Sequence, residues 1–320
     1  MTNRRVIALS GGVGGAKLAD GLAQVLDDGR LTVVTNTGDD FDHLGLRICP
    51  DTDTVLYTLA GLADRERGWG RAGETWTFME VLSGLGGPEW FNLGDGDLAL
   101  HVLRSDALRR GQTLSRVIAD VAKSLGVPTT VLPMSDQDVR TIVLTDEGRL
   151  AFQEYFVHRQ CKPAVTGFEF EGAVNSRPNP DLADAVGAEP GCIVVAPSNP
   201  FVSVDPILAV PGLGDMLRAC GAPIVAVSPI VGGRAIKGPA AKMFGELGID
   251  VSALGVARHY HGFIDGLIVD EQDADAADEI SALGMAVHVV PTVMQSTEDR
   301  KELARATLRF AETLHGKVPR

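Results

Sequence analysis

The chain of 320 residues is 45% hydrophobic, 22% charged and 5% aromatic, proportions of a globular protein and not of a disordered, collagenous or disulfide-framed one. A formal net charge of −13 sets the overall field against nucleic acid and anionic membranes, so a phosphorylated ligand needs a local cationic or metal site. The four cysteines are scattered without a C-x-x-C pair, no apolar run approaches the roughly 18 residues of a membrane span, and Met1 to Ser10 carries no signal-peptide core. A cytoplasmic location is the expectation.

In chain order, Val6-Ile-Ala-Leu9 reads as a first strand, Ser10 to Lys17 as a glycine loop, and Ala16 to Leu26 as a helix with Leu18, Leu22 and Leu26 on one face. Leu31-Thr-Val-Val34 is a second strand, followed by Asn36-Thr-Gly-Asp-Asp40. Pro50-Asp-Thr-Asp-Thr54 then opens an apolar helix through Val55, Leu56, Leu59 and Leu62. Thr141–Leu144, Leu150–Gln153 and Gly167–Glu171 are strand-like with no long helix between them, and Asp146-Glu-Gly148 is a turn signal, which predicts an inserted antiparallel segment. Cys192–Val195, Ile224–Val227, Leu267–Val269 and Ala286–Val290 are further strands, alternating with helical patterns such as Pro239–Gly248 and Thr297–Leu314. The whole predicts an α/β, Rossmann-like fold with a mainly parallel sheet and helices on both faces. Its parts are an N-terminal α/β half over 1–135, a β-rich insert over 136–175, and a C-terminal α/β half over 176–320 that completes the same core.

Chemistry is expected in the loops after the parallel strands. Ser10-Gly-Gly-Val-Gly-Gly-Ala-Lys17 follows a strand and opens a helix, so its N–H groups suit a phosphate, although it matches neither the P-loop nor the G-x-G-x-x-G pattern. Asp39, Asp40, Asp51 and Asp53 converge at two strand-end loops. Any one of them could serve as a helix cap, yet together they exceed capping needs, and hard carboxylate oxygens without clustered His or Cys suit Mg²⁺. Leu93-Gly-Asp-Gly-Asp97 with His101 downstream, the Ala196–Pro200 loop with Ser198 and Asn199, and Ser228–Gly238 with Arg234 and Lys237 complete the set.

Taken in order, six segments resemble the 2-phospho-L-lactate transferase family of coenzyme F-420 biosynthesis, whose bacterial members act as phosphoenolpyruvate transferases. They are Ser10–Leu18, Asn36–Asp40, Pro50–Tyr57, Leu132-Pro-Met-Ser-Asp136, Pro197–Pro200 with Pro206–Leu208, and Val227–Val231 with Gly238–Lys242. The resemblance spans nearly the whole chain. It implies a Rossmann-like homodimer that moves a phospholactyl or phosphoenolpyruvyl group from its guanosine-diphosphate-activated form to the ribityl hydroxyl of a deazaflavin alcohol, Fo (7,8-didemethyl-8-hydroxy-5-deazariboflavin), releasing GMP. On the family's pattern Asp40, Asp51 and Asp53 hold Mg²⁺, with Asp53 and Asp40 catalytic. Gly11, Gly12, Gly14, Gly15, Lys17, Asn36, Ser198, Asn199, Arg234 and Lys237 face the guanosine diphosphate, and Asp53, Asp95, Gly96, Asp97 and His101 face the deazaflavin.

This sequence departs from the family at Gly96, where members commonly carry Arg; Arg104 or Arg47 would have to supply the missing cation, or acceptor affinity and donor choice change. Leu100 in place of the usual Thr is a milder change. Two rival readings are weighed against the transferase. A nucleotide-sugar-binding regulatory protein of the gluconeogenesis-factor type shares the glycine loop and the Asn-Thr-x-Asp-Asp segment, but is expected to lack the Pro50–Asp53 and Leu132–Asp136 segments. A nicotinamide oxidoreductase needs a third fingerprint glycine and an acid directly after the second strand, and this chain has neither. Asp53→Asn is expected to abolish turnover and leave the fold intact.

Overall fold

In the computed structural model, which describes residues 4–316, the β-branched runs form fourteen strands among the described residues. They are β1 (Val6–Ser10), β2 (Leu31–Thr35), β3 (Phe41–His43), β4 (Leu46–Ile48), β5 (Thr130–Pro133), β6 (Arg140–Thr145), β7 (Gly148–Ala151), β8 (Val165–Glu171), β9 (Cys192–Val195), β10 (Ile224–Val227), β11 (Ile230–Val231), β12 (Arg234–Ala235), β13 (Gly266–Val269) and β14 (Ala286–Val289). Met1 to Asn3, part of the leader reading, lie outside the described residues.

Seven strands make one parallel sheet in the order β14-β13-β10-β9-β1-β2-β5. Its central members β1, β9, β10 and β13 are buried at every residue, as uninterrupted apolar runs require when helices cover both faces. Alternate residues feed two cores: Ile7, Leu9, Val34 and Ile193 on one face, Val6, Ala8, Val33 and Val194 on the other. The strand order reverses between β1 and β9, so the loops after these two strands border the crevice where such sheets bind ligands.

Helices α1 (Gly12–Val25) and α2 (Pro50–Leu59) follow the glycine loop and the β3–β4 hairpin; α3 (Thr77–Gly84) and α4 (Asp95–Arg109) come next. The C-terminal helix Thr297–Leu314 opens with a Ser296–Asp299 capping box and packs on α1. The contact is close: a methyl group at Gly21 would overlap the Arg300 carbonyl, and Arg300 Nη1 donates to buried Asp20 at 2.8 Å. β6, β7 and β8 form a separate three-stranded antiparallel sheet within 140–171.

Several boundaries differ from expectation. α1 begins at Gly12, not Ala16, because the glycine loop is itself the first helical turn. α2 ends at Leu59 rather than Leu62. β5 is an unanticipated edge strand that ends on Pro133, where an edge tolerates a missing N–H. Of the predicted strand Leu150–Gln153 only the first half is extended; Phe152 and Gln153 turn into a helical segment that continues as a π-helical turn over Glu154–His158.

Candidate active site

A cavity of about 620 Å³ opens at the carboxyl ends of the central strands. Its floor is the glycine loop. Gly11 N donates to Ser198 Oγ at 3.0 Å, and Ser198 Oγ donates back to the Gly11 carbonyl at 2.8 Å, so the loops after β1 and β9 are tied together. The tie demands glycine: a methyl at Gly14 would overlap the Pro197 carbonyl oxygen, and one at Gly15 would sit 2.6 Å from both Ser10 Oγ and Ser198 Oγ. Gly11, Gly12 and Gly14 line the cavity, whereas Gly15 faces inward as packing.

Asp51, on the first turn of α2, caps no helix of its own. Its Oδ1 accepts from Gly12 N at 2.6 Å and its Oδ2 from Asn36 Nδ2 at 2.9 Å. Asn36 also donates to the Val202 carbonyl and accepts from Gly38 N, so it positions Asp51 from beneath and is not part of the cavity wall. Burial pushes the Asp51 carboxyl up to about 6, against the pull of Asn36 and Gly12. Asp53, one turn along, is gripped by Arg104: Nη1 lies 3.0 Å from Oδ2 and Nη2 contacts Oδ1. Arg104 is 1% exposed, making this a buried ion pair. Burial raises the Asp53 carboxyl, with Arg104 and His101 opposing.

Of the two neighbouring acids in the Asn36–Asp40 turn, Asp39 faces the cavity and Asp40 does not. Asp40 N closes the turn on the Thr37 carbonyl, and its side chain points the other way, to the Cys49 thiol and a separate cavity of about 150 Å³ lined by Thr37, Arg47 and Arg140. Successive residues of a tight turn project to opposite sides, so the expected set Asp40, Asp51, Asp53 is corrected to Asp39, Asp51, Asp53 as the acids that share the cavity. Burial lifts Asp40 to about 7. Asp39 is raised well above the usual carboxylate range, first by burial and then by the charges of Asp51 and Asp40. Asp39 and Asp51, buried carboxylates without a cation beside them, are donors a hard divalent ion completes.

His101 on α4 stands between two carboxylates, Nδ1 3.7 Å from Asp53 Oδ2 and Nε2 3.3 Å from Asp97 Oδ2, with neither nitrogen in line for a hydrogen bond. Tyr57 OH donates to Asp97 Oδ1 at 2.6 Å. Burial pushes Asp97 up, but His101 and Tyr57 outweigh it and hold the carboxyl below its usual value. The ligand atoms of Asp53, Asp97 and His101 lie within 4.8 Å of one another, yet Asp53 already holds Arg104 and Asp97 already holds Tyr57. By donor chemistry the carboxylates of Asp39 and Asp51, which share the cavity and hold no cation, suit Mg²⁺ better than this mixed set.

The remaining expected residues divide. Lys17, Asn199, Lys237, Asp97 and His101 line the cavity. Lys17 Nζ donates to the Met294 carbonyl at 2.8 Å, and burial followed by the charges of Arg300 and Lys237 lowers its pKa. Lys237 Nζ donates to the Gly68 carbonyl at 3.1 Å, closing one edge of the mouth. Ser198 is spent on the loop tie. Arg234 is exposed in the β11–β12 hairpin and stays outside the cavity. Asp95 accepts from Thr75 Oγ1, Thr77 N and Phe78 N and holds the preceding segment. Gly96 also lies outside the lining; its N donates to Glu74 Oε2 at 2.6 Å, and a Cβ there would meet Arg71 Nη1 at 2.5 Å.

Neither cation named for the place of the missing family Arg reaches the cavity wall. Arg104 is consumed by Asp53, and Arg47 pairs with Asp42 and Asp138. The wall takes Arg67 instead, with Trp69, Phe152 and Phe156, and the Thr292–Met294 loop after β14. The strand-end rule could have found Thr292–Met294. Arg67 carries no local signal, since a long loop brings it in.

The chain matches the family model described as 2-phospho-L-lactate transferase CofD over residues 6–307. It is 42% identical over 320 residues to a phosphoenolpyruvate transferase of Kitasatospora aureofaciens, covering 98% of this chain and 99% of that one. It is 40% identical over 314 residues to a phosphoenolpyruvate transferase of Streptomyces griseus, covering 96% and 98%, and 37% identical over 309 residues to a 2-phospho-L-lactate transferase of Methanosarcina barkeri, covering 97% and 99%. Among solved structures, a member of the UPF0052 family from Bacillus halodurans shares the fold, with a TM-score of 0.63 at 17% identity, covering 96% of this chain and 99% of that one. No single helix among the described residues is long and apolar enough to cross a membrane. With the family model spanning the sheet and its loops, and relatives near 40% identity aligned over almost their full length, the chain belongs to the 2-phospho-L-lactate transferase CofD family and is a transferase.

Proposed function

We propose that this transferase moves a phosphoenolpyruvyl or phospholactyl group from its guanosine-diphosphate-activated form to the ribityl hydroxyl of Fo, with release of GMP. One observation carries the reading: three buried acids, a glycine loop, two lysines and an aromatic wall meet in a single cavity at the switch point of the sheet. The glycine loop and Lys17 would take the diphosphate, with Lys237 opposite, offsetting locally the chain's net charge of −13.

Asp39 and Asp51 would hold Mg²⁺, with the Arg104-bound Asp53 beside them; the ion when bound supplies charge neutralisation for the diphosphate and the departing GMP. Asn36 and Gly12 fix the orientation of Asp51, and Arg104 fixes Asp53. The attacking hydroxyl would sit beside Asp53 and His101. Both Asp53 oxygens are held by Arg104, so His101, buried between Asp53 and Asp97, would take the hydroxyl proton, with Asp97 stabilising the imidazolium formed. Catalysis rests on positioning and electrostatics more than on covalent chemistry. The chain would work as a homodimer in the cytoplasm.

The test is turnover with purified protein, Mg²⁺, Fo and each synthetic donor in turn, followed by mass spectrometry of the deazaflavin and chromatography of GMP. Stoichiometric GMP and a phosphodiester-linked product with one donor support the reading. No product with either donor, together with thermal stabilisation by a UDP-sugar and none by Fo, would replace it with the nucleotide-sugar regulatory reading.

A further inference from the structure

Part of the cavity wall is aromatic and open. Trp69, Phe156 and Ile236 line it while remaining 48%, 39% and 53% exposed, and Phe156 stacks on Phe152 with ring centroids 5.4 Å apart. Arg67 is set into this wall. Its Nε donates to Asp64 Oδ2 at 2.9 Å, its Nη2 to the Arg71 carbonyl at 2.8 Å, and its backbone N to Asp64 Oδ1 at 2.8 Å. The guanidinium carbon lies 5.1 Å from the Trp69 ring centre and 4.9 Å from that of Trp76. Nη1 has no hydrogen-bond partner among the described residues. A second, open cavity of about 420 Å³ adjoins the first and shares Arg67, Trp69 and Asn92 with it.

A guanidinium clamped on two of its edges, flanked by indoles and left with one donor at a cavity wall is preorganised for an anionic ligand oxygen. The aromatic surroundings specify that the oxygen belongs to a flat ring. We propose that Arg67, with Asn92 beside it, is the specificity residue that takes the ionised ring hydroxyl of the acceptor, while Trp69, Phe156 and Ile236 cover the ring faces. This rests on the deazaflavin reading given above. The ring hydroxyl of Fo is conjugated through the tricycle to a carbonyl, so its anion is delocalised and forms readily, and the acidic protein repels it unless a local cation intervenes.

The spacing agrees. From Asp53 on its first turn to its end at Leu59, α2 runs about 9 Å. Directly beyond it Leu62 N and Ala63 N bond back to the Tyr57 carbonyl, and the chain enters the Arg67 loop. An acceptor with its alcohol at Asp53 and its ring at Arg67 would run along this cavity, a shape that a tricycle with a sugar-alcohol chain can take.

Fluorescence titration in Mg²⁺ buffer, with Fo and with 5-deazariboflavin, which has ring methyl groups and no ring hydroxyl, tests this on wild type, Arg67→Met and Arg67→Lys. Wild type is expected to bind Fo about tenfold to a hundredfold tighter, the worth of one charge-assisted hydrogen bond. Arg67→Met removes that preference while affinity for Mg²⁺–GDP stays within about twofold, the control for folding, and Arg67→Lys retains part of it. If Arg67→Met keeps the preference, or weakens both ligands equally, Arg67 only packs the indoles and the assignment is wrong. If wild type binds neither deazaflavin, the acceptor reading itself falls and takes this one with it. Turnover of Fo by a wild type whose preference survives in Arg67→Met overturns the Arg67 assignment alone.

Discussion

Asp51 and Asp53 are two residues apart on one helical turn, and the structure predicts opposite responses to the same substitution. At pH 8 with EDTA, Asp53→Asn strands the guanidinium of Arg104, which is 1% exposed and otherwise bonded only to the Arg47 carbonyl through Nη1. Removing one partner of a buried pair costs about 3–5 kcal/mol. Asp51 has no cation beside it. Its carboxyl is raised to about 6, above its ordinary 3.8, so carrying the charge at pH 8 costs the folded protein about 3 kcal/mol of stability relative to the unfolded chain. Asp51→Asn removes that charge but turns an amide N–H₂ toward Asn36 Nδ2, itself a donor, at a cost of about 1–3 kcal/mol. The net change is within about 2 kcal/mol of zero.

A raised carboxyl contributes stability below its unfolded pKa and loses it as pH climbs through the folded one, so the cost of about 3 kcal/mol at pH 8 falls to about half at pH 5 and Asp51→Asn loses ground to wild type as the pH is lowered. At about 2 °C per kcal/mol, a thermal melt at pH 8 should place Asp53→Asn roughly 6–10 °C below wild type and Asp51→Asn within about 4 °C. Equal losses for the two variants would refute the view that Arg104 separates their roles. Both are expected to lose turnover.

Protons compete with Mg²⁺ for Asp39 and Asp51, whose carboxyls are raised, so thermal stabilisation by a fixed Mg²⁺ concentration should grow from pH 5 to pH 8; the same shift at both pH values would remove these acids as ligands. Gly14→Ala pushes a methyl into the Pro197 carbonyl, a backbone atom that cannot swing aside, and should lower the melting temperature by several degrees and weaken Mg²⁺–GDP binding; a wild-type melt would mean that the β1 and β9 loops are not tied as described. Arg300→Met leaves Asp20 buried with only Gln24 as partner and should cost about 3 kcal/mol while the KM for each substrate holds, because the pair joins α1 to the C-terminal helix and does not line the cavity. A changed KM with unchanged stability would argue against a purely structural pair.

Six of the seven parallel strands, the antiparallel insert and the C-terminal helix over Thr297–Leu314 could be read from local pattern, because apolar runs and period are properties of neighbouring residues. The seventh strand, β5, was hidden by Pro133, and the β3–β4 hairpin by its three-residue arms. Phe152 and Gln153 read as strand because they extend an apolar run; the backbone turns there to aim them at the cavity.

The glycine loop, the acids after the second strand, the acids opening α2 and the His101 segment are contiguous motifs, and the sequence by itself determined that this chain carries the chemistry of its family. Which side of a turn each acid faces depends on the dihedral angles of that turn, so only the folded chain put Asp39 in the cavity and Asp40 behind it. Pairings across long stretches of sequence were equally illegible. Arg104 meets Asp53 across 51 residues, Ser198 meets Gly11 across 187, and Arg67 reaches the wall through a loop with no repeating pattern. Such contacts are set by the packing of elements against one another, and distance along the chain encodes nothing about them.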